Sequence, residues 1–282
     1  MWRWISAALF AFIAGGAIGT VMYFAVRALP VFDEGRFLAP FNDFFEAVLP
    51  FAGFFIALVA GLHLFCHTSV RAFLFGRGRR PDVKTAVAAG ALMFCGMILA
   101  SVPDLKYTTV ENTDVTLILT NLIFCLMFVW IQTTTEEIIF RGFFLRPPYG
   151  NKIPALPKGL LFAFISSLLF MAAHLANPEV QSLPFGPDLI LGAASYFVGA
   201  FFLYICNLLI GGMEAGVVMH FLNNFYCFFL VRAKITAVET PAIFVDNAEA
   251  ATGTITFFSE LLIYALPLFY LVIKYRHRRR EG

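Results

Sequence analysis

The sequence predicts an all-α fold, a polytopic membrane helix bundle of about eight transmembrane helices. Three observations carry the prediction. The 282 residues are 60% hydrophobic and only 13% charged, whereas a soluble domain is about a quarter charged. Apolar stretches recur along the whole chain at close to the ~20 residues that a span requires at 1.5 Å rise each. The basic residues, moreover, gather at a few breaks between those stretches instead of spreading over a surface.

The expected spans run over residues 4–29, 47–70, 85–102, 116–145, 158–176, 188–210, 213–232 and 254–273. Helix-breaking and polar residues punctuate them: Pro30 with Asp33 and Glu34, the run from Arg77 to Pro81, Pro103-Asp104, Pro147-Pro148, Asn177-Pro178, and Gly211-Gly212 as the weakest break. The first stretch, Trp4 to Val26, is longer than a signal-peptide core and lacks a clear small-residue cleavage site, so it reads as a retained span. Gly15 and Gly19 within it have the GxxxG spacing that suits close helix packing. The chain shows no internal repeat, low-complexity tract or soluble domain. It is read as a single integral membrane domain, 1–282, with its polar motifs concentrated in 116–232. The longest loop, Ala233 to Gly253, is expected to form a lid or an interfacial turn.

Orientation follows from the basic residues. Arg71, Arg77, Arg79, Arg80 and Lys84 lie in one loop, and Lys274, Arg276, Arg278, Arg279 and Arg280 at the C-terminus. Both clusters belong on the cytoplasmic side, with the acidic loops near Asp33 and Asp104 outside. An even number of spans with both termini cytoplasmic satisfies all of this. The formal net charge of +2 gives no argument for nucleic acid. The five cysteines, Cys66, Cys95, Cys125, Cys206 and Cys227, fall in apolar segments without paired spacing, which supports neither a disulfide framework nor a zinc ribbon.

An ionisable group at bilayer depth costs ~2.5–3.5 kcal/mol on insertion scales and marks a functional candidate. Three places carry such groups. In the fourth span, Glu137 and Arg141 are four apart and can pair across one helix face, while Glu136 points about 100° away and is left without that partner. A carboxylate in an apolar pocket is suited to general base work. In the fifth span, Phe170 precedes His174 by one turn. The turn near residue 155 would bring His174 to a depth similar to that of Glu136. In the seventh span, His220 and Asn224 share a face, whereas Asn223 points elsewhere. Taken singly, each has a bland explanation: interfacial charge, a satisfied structural histidine, or interhelical hydrogen bonding. Together, a Glu, two His and a same-face Asn on three helices form a hydrolytic set. His63 and His67 form another same-face pair near the interface, with no third ligand to make a metal site.

The ordered trio Glu-Glu-x-x-x-Arg, Phe-x-x-x-His and His-x-x-x-Asn resembles the CAAX protease and bacteriocin-processing family of intramembrane endopeptidases, which includes the type II CAAX prenyl proteases. The resemblance rests on Glu136, Glu137, Arg141, Phe170, His174, His220 and Asn224. It implies an eight-helix enzyme of the membrane, here the bacterial plasma (inner) membrane, acting on a peptide or protein substrate that can be lipid-anchored. It also implies that Glu136 activates water and that His174 helps to orient or deprotonate it. His220 and Asn224 would stabilise the oxyanion, and Glu137 and Arg141 would hold the fourth helix in register. No cofactor is expected from the newer, glutamate-dependent picture of the family. Zinc held by Glu136, His174 and His220 is the alternative. The rival functions are a proton-coupled transporter, since Glu and His also relay protons, and a silent scaffold or immunity protein. Transporter-like inverted repeats are absent from the sequence, as are the His-Glu-x-x-His and Gly-x-Ser-x-Gly signatures of other hydrolases.

Overall fold

The computed structural model describes residues 2–145, 154–247 and 253–275. Apolar composition and the need to satisfy every backbone group internally make most of it helical. Helix α1 (Trp2–Arg27) pairs with α2 (Asn42–Cys66), and a short α3 (Val70–Phe75) follows. Next come α4 (Val83–Ser101) and a long span, Val115–Leu145. This span comprises α5 (Val115–Phe124), a π-helical turn at Cys125–Val129, α6 (Trp130–Glu136), a second π turn at Glu137–Gly142, and α7 (Phe143–Leu145). Then follow α8 (Leu156–His174), the short α9 (Pro178–Gln181), α10 (Pro187–Ile210), α11 (Glu214–Phe225) with a third π turn at Tyr226–Leu230, and α12 (Gly253–Tyr275).

The GxxxG spacing is used. A Cβ at Gly15 would lie 2.7 Å from the Phe54 Cα, and one at Gly19 would lie 2.7 Å from the Pro50 Cα. Only hydrogen at these positions lets α1 and α2 touch backbone to backbone. Of the three apolar cores, two position the site, and the third packs α2 and α5 around Phe44, Cys125 and Phe228. The first joins α4, α10, α11 and α12 through Met93, Leu203, Met219 and Tyr264. The second brings Ile138, Ala163, Tyr204, Leu208 and Met213 against Leu58 and Phe73.

Seven described helices are long and apolar enough to cross a membrane. The eighth expected segment, 213–232, is a 12-residue helix followed by a five-residue π turn, and it carries Glu214, His220, Asn223 and Asn224. It nevertheless runs from one end of the bundle to the other. Glu214 is tied to Arg79 in the loop before α4, and β2 (Val231–Ala233) joins a small sheet at the far end. There β3 (Phe244–Asp246) pairs antiparallel with β1 (Thr108–Val110) and parallel with β2, in the order β1-β3-β2. An all-α expectation did not include this sheet. It lies in the loops, where backbone leaving the helices needs partners. The loop after residue 233 is thereby anchored: Arg232 is paired with Glu111, and Asn121 Nδ2 donates to the carbonyls of Phe228 (2.9 Å) and Pro241 (3.1 Å).

Trp2 and Tyr275, the two ends of the described chain, lie at the end of the bundle that carries the loop over residues 76–82. Trp4 packs on Phe73, and Tyr275 Oη donates to Asp82 Oδ2 at 2.7 Å. The C-terminal arginines from Arg276 onward, and Pro147-Pro148, lie outside the described residues.

Candidate active site

Four elements bring the polar groups together: α6 with the π turn that follows it, the end of α8, α10 and α11. The approach to Glu136 is built from threonines that satisfy themselves. Thr133 Oγ1 donates to Val129 O at 2.8 Å and Thr135 Oγ1 to Ile131 O at 2.6 Å, so both hydroxyls are buried without needing an outside partner. At Glu137 the helix widens into a π turn, a feature frequent at functional sites. Ser166 Oγ of α8 donates to Phe140 O within that turn at 2.7 Å and locks the two helices together.

Glu137 is fully buried at the centre of the network. Its Oε1 faces Arg141 Nη1 at 2.9 Å and His220 Nδ1 at 3.0 Å. Its Oε2 accepts from Asn207 Nδ2 at 3.2 Å. Asn207 Oδ1 in turn accepts the backbone N–H of Gly216 at 2.7 Å, joining α10 to α11. A Cβ at Gly216 would come within 2.5 Å of Glu137 Oε2, so only glycine leaves room for this carboxylate. Arg141, also fully buried, lays its guanidinium over the Phe170 ring, 4.2 Å from the centroid.

Glu136 does not stand alone as its direction on the helix had suggested. Gln132 Nε2 donates to its Oε1 at 3.3 Å, and His220 Nε2 lies 3.5 Å from its Oε2. His220 therefore bridges the two carboxylates, one ring nitrogen toward each. As imidazolium it can donate to both, and the row Glu136, His220, Glu137, Arg141 then alternates in sign and sums to zero. A neutral cluster is the least costly way to hold four ionisable groups in an apolar interior.

His174, the last residue of α8, is half-buried. Its Nδ1 lies 2.7 Å from Phe170 O. A carbonyl can only accept, so Nδ1 carries the hydrogen, and in its neutral form the ring presents Nε2 as a lone pair. Phe170 links the groups: it stacks on His174, meets His220 edge-on and underlies Arg141. Asn224 lies one turn beyond His220 and is half-buried; its Oδ1 accepts from Asn223 Nδ2 at 3.2 Å, which leaves its own amide N–H groups to donate elsewhere. It makes no hydrogen bond to Glu136, His174 or His220.

Among the described residues no group of three His, Cys, Asp or Glu side chains is placed to hold a metal ion. Both nitrogens of His220 are turned to carboxylates and Nδ1 of His174 to a carbonyl. His63 and His67 are both exposed, and His67 is a left-handed cap beyond the end of α2, off the shared face.

Residues 118–226 match the family model described as type II CAAX prenyl endopeptidase Rce1-like. The matched segment covers less than half of the chain. It contains every motif residue from Glu136 to Asn224 and the π turn that carries Glu137 and Arg141. The chain is also 31% identical over 121 residues to the uncharacterized protein YyaK of Bacillus subtilis (strain 168). That match covers 42% of this chain and 37% of the relative, so the chain spans little more than a third of the protein it resembles. No solved structure matches.

Within the matched segment, Gln132 and Asn207 join the network without having stood out in the sequence. Both are polar residues in apolar helices, the same signal that marked the histidines. Glu214, at the start of α11, did not stand out either; its Oε1 accepts from Arg79 Nη2 at 2.6 Å and from the Asp82 backbone N–H at 3.0 Å. Glu214 and Arg79 are 135 residues apart, and no local pattern could have joined them.

Proposed function

We propose that the protein is an integral membrane endopeptidase that hydrolyses a peptide bond of a lipid-anchored peptide or protein substrate. The observation that carries this reading is the buried bridge Glu136–His220–Glu137–Arg141, lying inside the Rce1-like segment. Glu136, at the edge of the bridge, is the general base. It takes a proton from water as the water oxygen attacks the scissile carbonyl carbon. His174, with Nε2 as acceptor, orients that water. The tetrahedral oxyanion receives hydrogen bonds from the amide of Asn224 and from His220 Nε2, which exchanges its long 3.5 Å contact to Glu136 for the oxyanion as Glu136 takes up the proton. Collapse breaks the C–N bond, and the proton held on Glu136 passes to the leaving amine. No metal enters any step. Glu137 and Arg141 keep His220 and the π turn in place. The substrate enters from lipid, in keeping with the apolar exterior of the helices, where residues such as Ile13 and Leu262 are about seven-tenths exposed. The loop over residues 76–82 and both chain ends face the cytoplasm of the bacterial plasma membrane.

The direct test is cleavage of a fluorescence-quenched peptide ending in Cys-aliphatic-aliphatic-X by the purified protein, with and without a prenyl thioether on the cysteine. Turnover of the prenylated peptide, unaffected by a chelator, is expected. No turnover of either peptide by the folded protein would overturn the substrate assignment, and loss with chelator restored by zinc would overturn the metal-free chemistry.

A further inference from the structure

Asn177, Glu179 and Tyr196 form a polar cluster that the reaction above does not use. Tyr196, on α10, lays its ring against the His174 imidazole with centroids 4.7 Å apart and planes at 27°. Phe170 stacks on the same imidazole at 4.2 Å and 29°. The histidine is therefore held between two rings, and its Nδ1–H is fixed to Phe170 O. The Tyr196 hydroxyl donates to Glu179 Oε1 at 2.5 Å and accepts from Asn177 Nδ2 at 3.2 Å. Asn177 Nδ2 also donates to Glu179 Oε1 at 3.0 Å. Asn177 and Glu179 belong to the turn that leaves α8, and the Asn177 backbone N–H donates to His174 O at 3.1 Å. The chain thus closes on itself: the turn immediately after His174 supplies the groups that hold the ring that holds His174. Packing alone would be met by Phe at position 196. A phenol anchored to a carboxylate at the edge of an apolar bundle asks for another reason, because such groups are costly there.

We propose that Tyr196 is a positioning residue for His174, with Glu179 and Asn177 fixing Tyr196 in turn. The cluster sets the plane and tautomer of the imidazole so that Nε2 faces the reacting water. The proposal rests on the assignment of His174 to the reaction, and its test separates the two. The protein labelled with ¹⁵N-histidine is prepared in detergent, and the ring signals of its five histidines are assigned with His174→Ala. Wild type should show His174 as the Nδ1–H tautomer. Tyr196→Leu should show tautomer averaging and lower kcat about a hundredfold with KM within about twofold, the cost of a misplaced catalytic group. Tyr196→Phe keeps the stack and loses the anchor, and should lower kcat about tenfold, the value of one charge-assisted hydrogen bond. Glu179→Gln preserves shape and fold and should resemble Tyr196→Phe, which keeps the test open if Tyr196→Leu fails to fold. An unchanged His174 signature in Tyr196→Leu, or in both conservative variants, overturns the positioning role. A changed signature combined with wild-type cleavage by His174→Ala upholds the hold on the ring and removes His174 from the reaction.

Discussion

Arg141 has no solvent exposure, yet its charge is met on only two sides, by Glu137 and by the face of Phe170. The 2.9 Å contact to Glu137 is one of charge, not an aligned hydrogen bond, and Nε and Nη2 find no acceptor among the described residues. Such a pair specifies an arrangement more than it adds stability, and removing one partner strands the other. Arg141→Ala should therefore cost ~3–5 kcal/mol in detergent unfolding as well as activity. Asn207→Ala, which leaves Glu137 Oε2 and the Gly216 N–H unpaired, should cost ~1–3 kcal/mol. A fully stable but inactive Arg141→Ala would place the arginine in the chemistry instead. At this scale the sequence was legible where spacing is local. The i,i+4 pairing of Glu137 with Arg141 could be read directly. The bridging of Glu136 to Glu137 by His220 could not, since that residue lies 83 positions away from Glu137.

Helix identity was legible from hydropathy, but helix interiors were not. The π turns at 125–129, 137–142 and 226–230 carry no composition signal, and in two of them a neighbouring helix donates to a carbonyl. These bonds are Ser166 to Phe140 O and Asn121 to Phe228 O. The short α11 was drawn in sequence as an ordinary span because its polar residues are diluted by Phe and Val. Its start is fixed by Glu214 and Arg79, and the helix beside it, α4, by Asp82. Asp82 caps α4 through Thr85 N–H at 3.3 Å and accepts from Tyr275 at 2.7 Å. Burial opposes its charge, but hydrogen bonds from Tyr275 and Thr85, with Lys274 nearby, outweigh burial and hold the carboxyl below its ordinary value. A depressed carboxylate stabilises the fold above its unfolded pKa, and that contribution is lost as pH falls through the folded value. Asp82→Asn should therefore lower the unfolding temperature at pH 7, and the gap to wild type should close as pH falls below about 4. A gap of constant size across that range would show that the charge of Asp82 is not what matters.

For the whole molecule, the crossing pattern places both described chain ends and the basic loop at one end of the bundle, and the three-stranded sheet at the other. The expected even number of crossings agrees with this once α11 is counted as a crossing, although seven helices reach full span length among the described residues. The proposal of which end faces the cytoplasm rests on the basic residues alone. Single cysteines at Gly78 and Thr109, in a chain cleared of its native cysteines, test it with an impermeant maleimide on intact cells. Position 109 should label and position 78 should not; the reverse pattern would invert the protein.

The central claim is that Glu136 is the base and Glu137 is its support. It is tested most directly by turnover of Glu136→Gln and Glu137→Gln on the prenylated peptide, each first shown to be folded in detergent. Glu136→Gln keeps the shape and the hydrogen bond from Gln132 while removing basicity. It should unfold at the wild-type temperature and lose turnover ~10²–10⁴-fold. Glu137→Gln should lose stability first and chemistry less. Near wild-type turnover by a folded Glu136→Gln would contradict the account.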